Sequence, residues 1–241
     1  MARQKLGQHF LIKGSVLERI AAAACPQHEP LIVEIGPGRG ALTERLRKRA
    51  DRVVAVEIDP YLAEHLRRKF PAVEVVQADV LATDLAQWGR APIAGNLPYY
   101  ITSPIIERAV RMDIPRAVFL IQKEVAQRLT ARPGSRDYGF LTVHTALFAD
   151  ARLLFEVKPS AFHPPPKVDS AVVLLAPHGR SVPEGLVEFV GRCFRQKRKT
   201  IRNNLAPVYG SIVDDWPEAG LRAEQIPVEG FAEMYGRIIA A

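Results

Sequence analysis

Short apolar runs alternate with longer amphipathic stretches through the first half of the chain. A buried strand of a parallel sheet needs an apolar run of about four to eight residues, and the helix that returns the chain needs an amphipathic stretch. This alternation therefore predicts an α/β fold, in which helices cover a mostly parallel sheet. We expect strands at 31–35, 53–57, 73–77, 93–95 and 117–122, and helices at 41–49 and 140–148 among others.

The pattern changes in the second half of the chain. Residues 153–157 and 168–175 are β-rich runs joined by a proline-rich segment, with no helical stretch between them. Successive strands without a crossover helix are typical of an antiparallel pair, which we expect at one edge of the sheet. Beyond residue 177 the chain becomes helical and basic. We therefore predict an α/β domain over residues 1–177 and a small helical domain over residues 178–241.

The composition favours a polyanionic partner. There are 33 lysines and arginines against 26 acidic residues, which gives a net charge of +7 and a pI near 9.6. Such an excess suits nucleic acid, because each neutralised phosphate releases a bound counterion. Cys25 and Cys193 form no CxxC pair and the histidines have no HxxxH spacing, so we expect no metal site. No apolar run reaches the roughly 18 residues of a membrane span, and we expect a cytoplasmic protein.

A glycine-rich turn follows the first of these strands and precedes a helix. Gly36, Gly38 and Gly40 give a GxGxG spacing, and glycine lets the backbone turn tightly and approach a ligand. Glu57 and Asp79 end the next two predicted strands, where they can accept from ribose hydroxyls and from an adenine amine. Because open α/β sheets bind ligands at the carboxyl ends of their strands, these features predict an adenosine-bearing cofactor. The glycine spacing favours S-adenosylmethionine over NAD.

The segment Asn96-Leu97-Pro98-Tyr99 follows the fourth predicted strand and indicates the chemistry. The nitrogen of an aromatic amine is a poor nucleophile, because its lone pair is delocalised into the ring. Two acceptors for its N–H bonds favour a pyramidal amine and direct the lone pair at an incoming methyl group. The Asn96 side-chain oxygen and the Leu97 carbonyl are candidate acceptors, Pro98 fixes the turn, and Tyr99 is a candidate for stacking on the base. The work of the site is then positioning for in-line displacement.

With these motifs and three more, the chain resembles the bacterial small-subunit (16S) rRNA adenine-N6,N6-dimethyltransferases nearly from end to end. The resemblance implies a Rossmann-like sheet of the S-adenosylmethionine-dependent methyltransferase type. That sheet is expected to be mostly parallel with one antiparallel edge strand, and to be followed by a small C-terminal helical domain. The three further motifs are Gln8-His9-Phe10-Leu11, the segment from Phe162 to Ser170, and the segment from Gln196 to Leu205.

The resemblance also implies roles for individual residues. His9, which stands where the family usually has asparagine, lies in a segment expected against the methionine end of the cofactor. Phe162 is expected to stack on the flipped adenine opposite Tyr99, so that the catalytic set is Asn96, Leu97, Pro98, Tyr99 and Phe162. The residues expected to bind the cofactor are His9, Leu11, Gly36, Gly38, Glu57, Asp79 and Asn96. The residues expected to bind RNA are Arg195, Lys197, Arg198, Lys199 and Arg202.

The implied substrate is a pair of adjacent adenosines in the hairpin loop near the 3′ end of small-subunit rRNA, each dimethylated within an immature 30S particle. A base in a loop is already partly unstacked, so its extrusion costs a few kcal/mol at most. Stacking on aromatic rings recovers about 1–3 kcal/mol per base. We expect the protein to act on this particle as a monomer.

Three alternatives remain at this point. A related methyltransferase of the antibiotic-resistance type dimethylates large-subunit rRNA and shares the glycine turn and the Asn-Leu-Pro-Tyr motif. The triple proline before Lys167 and the basic motif at 196–205 favour the small-subunit enzyme. A ribosome-assembly factor whose catalysis is incidental is a binding role on the same scaffold. An NAD-dependent dehydrogenase is disfavoured by the GxGxG spacing.

Overall fold

The computed structural model describes residues 9–240 of the chain. These residues form nine strands and nine α-helices. The strands are β1 (Phe10–Leu11), β2 (Glu29–Ile35), β3 (Ala50–Glu57), β4 (Glu74–Gln77), β5 (Ile93–Asn96), β6 (Ala117–Gln122), β7 (Ala149–Val157), β8 (Phe162–His163) and β9 (Ser170–Pro177). The helices are α1 (Gly14–Ala24), α2 (Thr43–Leu46), α3 (Pro60–Lys69), α4 (Thr102–Ala109), α5 (Lys123–Leu129), α6 (Phe140–Phe148), α7 (Glu184–Cys193), α8 (Ile201–Tyr209) and α9 (Val228–Ile239).

The main sheet has seven strands in the order β4-β3-β2-β5-β6-β9-β7. The chain leaves β2 toward β3 and β4 on one side, and returns to β5 and β6 on the other. All pairs among these five strands are parallel. The strand order therefore reverses between β2 and β5, and a crevice outside the carboxyl ends of strands at such a point is the usual ligand site of an open α/β sheet.

The predicted antiparallel pair is confirmed at one edge of the sheet, with one correction. Strand β9 runs antiparallel to both of its neighbours, β6 and β7. The reversed strand is thus one place in from the edge, and the edge strand β7 points the same way as the parallel strands. The reason is the connection: helices α5 and α6 return the chain from β6 to a parallel β7, while the helix-free link after β7 forces β9 to reverse direction.

Both faces of the sheet are buried, because alternate residues of the inner strands point to opposite sides. On β3, Val54 and Val56 belong to one apolar cluster, whereas Val53 and Ala55 belong to a second. The turn after β2 is the main local departure from the predicted pattern. Only Thr43–Leu46 is α-helical where a helix over 41–49 was predicted, and the flanking residues form turns.

The C-terminal helices surround a third apolar cluster. Phe189, Phe231 and Met234 are fully buried there, and Tyr138 and Val143 from the segment before β7 contribute to the same cluster. The predicted division after residue 177 stays a prediction, although β9 ends at Pro177 and α7 begins at Glu184. Within residues 9–240 no helix is long and apolar enough to cross a membrane.

Candidate active site

A cavity of about 220 Å³ opens at the point where the strand order reverses. Its wall is built from the segments that follow β2, β3, β4 and β5, together with the N-terminal segment that contains β1. The lining includes His9, Leu11, Gly36, Gly38, Glu57, Asp79, Asn96, Leu97, Pro98 and Tyr99. The structure thus brings together every residue that the sequence predicted for cofactor binding, and four of the five predicted for catalysis.

The glycine turn after β2 forms the floor of this cavity. Gly36 and Gly38 have φ angles of 64° and 57°, which side-chain-bearing residues rarely adopt. A Cβ atom at Gly38 would also lie 3.1 Å from the ring of Phe10 in β1. The Phe10 ring in turn lies 4.5 Å from the guanidinium carbon of Arg39. The glycine turn therefore packs against the Phe10 ring, and a side chain at Gly38 would crowd that ring.

Glu57, the last residue of β3, holds this turn in place. One carboxylate oxygen accepts from the Gly38 backbone N–H and the other from the Asp59 N–H, each at 3.0 Å. Burial raises the pKa of the Glu57 carboxyl, and the two backbone hydrogen bonds oppose that effect. Each oxygen retains a further lone pair, so the carboxylate is fixed in place and still able to accept from a diol.

Asp79 lies just beyond the end of β4, on the loop that closes the next side of the cavity. Its Oδ1 accepts from the Leu81 N–H at 2.9 Å. Arg108 of α4 holds the same loop, because its guanidinium donates to the Val80 and Leu81 carbonyls at 2.9 Å each and also to the Thr83 carbonyl. Arg108 was not singled out in the sequence, since a lone arginine on a predicted helix carries no signal for such a clamp.

A buried acid faces the cavity without a full set of partners. Glu34 of β2 is 1 % exposed, and its Oε2 forms no hydrogen bond within the described part of the chain. Burial raises the pKa of this carboxyl to about 8. A carboxyl with this pKa is protonated at neutral pH, so Glu34 adds a neutral polar group to the cavity wall. The glycine cradle and the Glu57 carboxylate beside it fit a ligand that carries a ribose, as S-adenosylmethionine does.

The Asn96-Leu97-Pro98-Tyr99 segment forms the reacting side of the cavity. The Asn96 Nδ2 donates to the backbone carbonyl of His9 at 3.1 Å. Since that contact requires the amide nitrogen, the Asn96 Oδ1 is left as an acceptor. The Leu97 N–H donates to the Leu120 carbonyl of β6. No backbone N–H from a turn or loop within residues 9–240 donates to the Leu97 carbonyl oxygen. These two oxygens, on consecutive residues that both line the cavity, are therefore the candidate acceptors for an amine.

Tyr99 and His9 lie next to each other beside these acceptors. The Tyr99 hydroxyl is 3.0 Å from the Ser170 Oγ of β9, and burial raises the pKa of this tyrosine. The His9 ring lies 5.9 Å from the Tyr99 ring with a 30° tilt, and its Nδ1 is 2.8 Å from the Pro164 carbonyl oxygen. His9 therefore contributes a backbone acceptor to Asn96 and an aromatic ring to the cavity wall. Gln8, quoted with the same motif, lies outside the described residues.

Phe162 is not part of the cavity. Its side chain is 4 % exposed and packs in the apolar cluster that contains Leu11 and Val157. The cause is the antiparallel pairing of β8 with β1, in which Leu11 stands opposite Phe162 and Phe10 opposite His163. Alternation along the strand then directs Phe162 into the core and leaves His163 exposed. The structure thus places the Phe162 ring in the core and not in the cavity. Its stacking on the target base stays a prediction.

Comparison with known proteins identifies the family of this chain. A family model described as ribosomal RNA adenine dimethylase matches residues 1–238. The chain belongs to this family. A ribosomal RNA small subunit methyltransferase A from Acidobacterium capsulatum is 40 % identical over 97 % of this chain and 90 % of its own length. The protein of the same name from Bordetella bronchiseptica is 41 % identical over 100 % and 95 %.

Solved structures agree with this assignment. A dimethyladenosine transferase from Plasmodium falciparum shares the fold, with a TM-score of 0.80 over 95 % of this chain and 98 % of its own. Its sequence identity is 24 %. The 23S rRNA methyltransferase ErmE is 30 % identical, with a TM-score of 0.72 and coverage of 95 % and 99 %. The resemblance and the Rossmann-like methyltransferase fold predicted from the sequence are thus confirmed, and the chain is an S-adenosylmethionine-dependent rRNA methyltransferase.

A second feature of this dimethylase lies outside the cavity lining, in the turn between α7 and α8 and at the start of α8. Five basic side chains are exposed there, and none forms an ion pair with a residue of the described chain. Only the Lys197 Nζ has a side-chain hydrogen bond, 2.7 Å to the Arg136 carbonyl. We call this set the basic turn. Its members are Arg195, Lys197, Arg198, Lys199 and Arg202.

Asn204 of α8 holds the basic turn from within. Its Oδ1 accepts from the Gln196 N–H at 3.1 Å. Its Nδ2 lies 3.0 Å from the Cys193 carbonyl, 3.2 Å from the Gln196 carbonyl and 3.5 Å from the Lys199 carbonyl. One buried amide thus satisfies backbone groups of a turn whose basic side chains are exposed. The motif at 196–205 contained Asn204, but only the structure shows what its side chain does.

Proposed function

We propose that this enzyme transfers methyl groups from S-adenosylmethionine to N6 of two adjacent adenosines in the 3′-terminal hairpin loop of small-subunit (16S) rRNA, giving N6,N6-dimethyladenosine. The observation that carries the proposal is the pair of available acceptors, Asn96 Oδ1 and Leu97 O, on the wall of a cavity built by a GxGxG turn. The names of relatives about 40 % identical over nearly the whole chain support the small-subunit target.

The cofactor is proposed to lie along the carboxyl ends of β2, β3 and β4. Glu57 accepts from the two ribose hydroxyls, and the free carboxylate oxygen of Asp79 accepts from the adenine amine. The backbone at Gly36 and Gly38 passes close to the methionine part, and His9 and Leu11 cover its end. Asn96 lies where the methionine part and the target amine meet. The lining of a single cavity by all seven residues supports this arrangement.

The reaction is proposed to depend on orientation of the target amine. Bound S-adenosylmethionine supplies an electrophilic sulfonium methyl group. Asn96 Oδ1 and Leu97 O accept hydrogen bonds from the N6–H groups. These hydrogen bonds favour a pyramidal nitrogen whose lone pair is directed toward the methyl group. Pro98 fixes the turn, and Tyr99, anchored by Ser170, supplies the face on which the adenine stacks. Attack by the nitrogen forms the N–C bond as the methyl–sulfur bond breaks, which leaves S-adenosylhomocysteine. The cationic nitrogen then loses its proton to water, so no strong base is required.

The basic turn is proposed as the main RNA-binding surface. Its charges have no acidic partner in the described chain, and RNA phosphate is the natural counter-charge. Replacing Arg198 by alanine is expected to reduce the slope of log K against log salt by about one unit. Lys48 is exposed but lies outside the turn, so Lys48→Ala serves as the matched control. Equal slopes for both variants would contradict the assignment.

We further propose the cellular setting and organisation of the enzyme. It acts in the cytoplasm as a monomer on an immature 30S particle rather than on free rRNA. Residues 1–177 form the cofactor-binding catalytic domain and residues 178–241 the small helical domain that faces RNA. The apolar cluster that the C-terminal helices mostly build supports this division, although Tyr138 and Val143 also contribute to it.

The first experiment is tritium transfer from labelled S-adenosylmethionine to unmethylated small and large subunits, followed by identification of the labelled nucleosides. We expect N6,N6-dimethyladenosine in the 3′-terminal hairpin of small-subunit rRNA. The second candidate is a large-subunit rRNA adenine dimethyltransferase of the antibiotic-resistance type, which the structural likeness to a 23S rRNA methyltransferase favours. Label in large-subunit rRNA would support that candidate. Binding to 30S particles without label would indicate an assembly factor.

A further inference from the structure

Tyr100 is an exposed tyrosine at the rim of the active-site cavity. It follows Tyr99 directly and lines the cavity, yet 61 % of the residue is exposed to solvent. Its hydroxyl makes no hydrogen bond to any residue between 9 and 240. An aromatic ring exposed at the mouth of a binding site is accessible to a ligand in that site.

The turn that carries Tyr100 is fixed while its ring is free. Residues 99–101 form a single turn of 3₁₀-helix, in which the Ile101 N–H and the Thr102 hydroxyl both donate to the Pro98 carbonyl, at 3.2 and 3.1 Å. Tyr99 is tied inward through Ser170. Consecutive side chains on this turn therefore diverge, one into the cavity and the next onto its rim.

No other aromatic ring of the cavity lining within the described chain is available in this way. The Phe10 ring is packed between Gly38 and the Arg39 guanidinium. The His9 ring is held by the Pro164 carbonyl and lies against Tyr99. Phe162, the stacking residue expected from the sequence, is buried in the core. The exposed aromatic surface at the cavity mouth is thus that of Tyr100.

We propose that Tyr100 is a stacking platform for the nucleotide adjacent to the target adenosine. The inference rests on the proposed function. A target base that reaches Asn96 and Leu97 enters the cavity, while its neighbour, joined by one phosphodiester, stays at the rim beside the Tyr100 ring. Stacking on an aromatic face is tolerant of base identity, so the same platform serves whichever of two adjacent adenosines remains outside. Tyr100 is a substrate-binding residue and takes no part in amine activation.

The test is Tyr100→Ala, with Tyr100→Phe as the conservative variant. Tyr61 is 71 % exposed on α3 and is outside the cavity lining, so Tyr61→Ala is the matched control. We expect Tyr100→Ala to raise the KM for 30S subunits about 10-fold. We expect kcat to stay within about twofold of the wild type, because only binding of the neighbouring nucleotide is lost. Tyr100→Phe and Tyr61→Ala are expected to match the wild type, and the cofactor Kd is expected to be unchanged throughout.

A second measurement identifies the nucleotide that Tyr100 contacts. Subunits reconstituted with uridine in place of one of the two adenosines present a weaker stacking base beside the remaining target. The effect of Tyr100→Ala on KM should then be smaller than with adenosine, and this non-additivity is the signature of contact. Equal effects on both substrates, an unchanged KM, or a large fall in kcat would overturn the proposal. Failure of the wild-type enzyme to methylate 30S subunits would instead refute the proposed function.

Discussion

The hydrogen bond from Asn96 to His9 makes a specific prediction about catalysis. Asn96→Ala removes an acceptor aimed at the target amine, and loss of one preorganised hydrogen-bonding group in an active site costs about 10²–10³ in kcat. Asn96→Asp retains an acceptor but loses the donor that meets the His9 carbonyl at 3.1 Å. It forfeits about 1 kcal/mol from that hydrogen bond and places a negative oxygen against a carbonyl oxygen. The carboxylate is therefore expected to turn away from the amine.

Both variants are thus expected to lose about 10²–10³ in kcat with 30S subunits, although aspartate is the closer isostere. The assay is steady-state methyl transfer at saturating cofactor and subunit, together with calorimetric titration of S-adenosylhomocysteine. The product Kd should change far less than kcat, because the contacts proposed for Glu57 and Asp79 remain. If Asn96→Asp turned over at a rate near that of the wild type, orientation by His9 would be irrelevant. If Asn96→Ala did so, the account of amine activation would be wrong.

Three further variants test the surrounding structure. Arg108→Gln should raise the cofactor Kd about 10-fold in calorimetry, because glutamine cannot reach all three carbonyls that Arg108 holds in the loop after Asp79; an unchanged Kd would show that the loop needs no clamp. Asn204→Leu should raise the KM for subunits and leave the cofactor Kd unchanged, because it loosens the basic turn; equal KM values would contradict this. Burial, with a smaller effect of Arg111, lowers the pKa of His144 from 6.5 to about 4. Below pH 6.5 His144 is therefore protonated in the unfolded chain but stays neutral in the folded protein. As the pH falls from 6.5 to 4, the free energy of unfolding should decrease by about 3 kcal/mol. His144→Phe should lack this loss when urea unfolding is followed across that range, and parallel pH curves for the two proteins would refute the assignment.

The cavity could be predicted from the sequence, because a parallel sheet brings the ends of successive strands together at one edge. Gly38, Glu57, Asp79 and Asn96 lie far apart in the chain, but each follows or ends a parallel strand, and such strand ends meet at one edge. The helix over 140–148 and the strand over 117–122 were also predicted to the residue. Both segments are strongly apolar, so length, rather than periodicity, distinguishes the short strand from the longer helix.

The features that escaped prediction depend on side-chain direction or on single long-range hydrogen bonds. Arg108 and Asn204 act on backbone carbonyls of other segments, and no spacing in the sequence marks such contacts. The order of β9 and β7 at the sheet edge also escaped prediction, because it depends on long-range packing. Absence of a crossover helix predicts that these two strands are antiparallel, but which of them pairs with β6 depends on how α5 and α6 pack.

Phe162 and Tyr100 show that the sequence does not predict the direction of a side chain near the site. A motif fixes the position of a residue in the chain, whereas the pairing of two short strands, β1 with β8, decides that the Phe162 ring enters the core. The adjacent residues of the Asn-Leu-Pro-Tyr turn decide that the Tyr100 ring faces solvent. In the proposed mechanism the same turn supplies an aromatic face for RNA and the acceptors for the amine, so binding of the neighbouring nucleotide is coupled to the geometry of the reacting one. In this enzyme a displacement of the turn at residues 98–101 should impair base placement and nucleotide binding together, because both depend on the same Pro98 carbonyl.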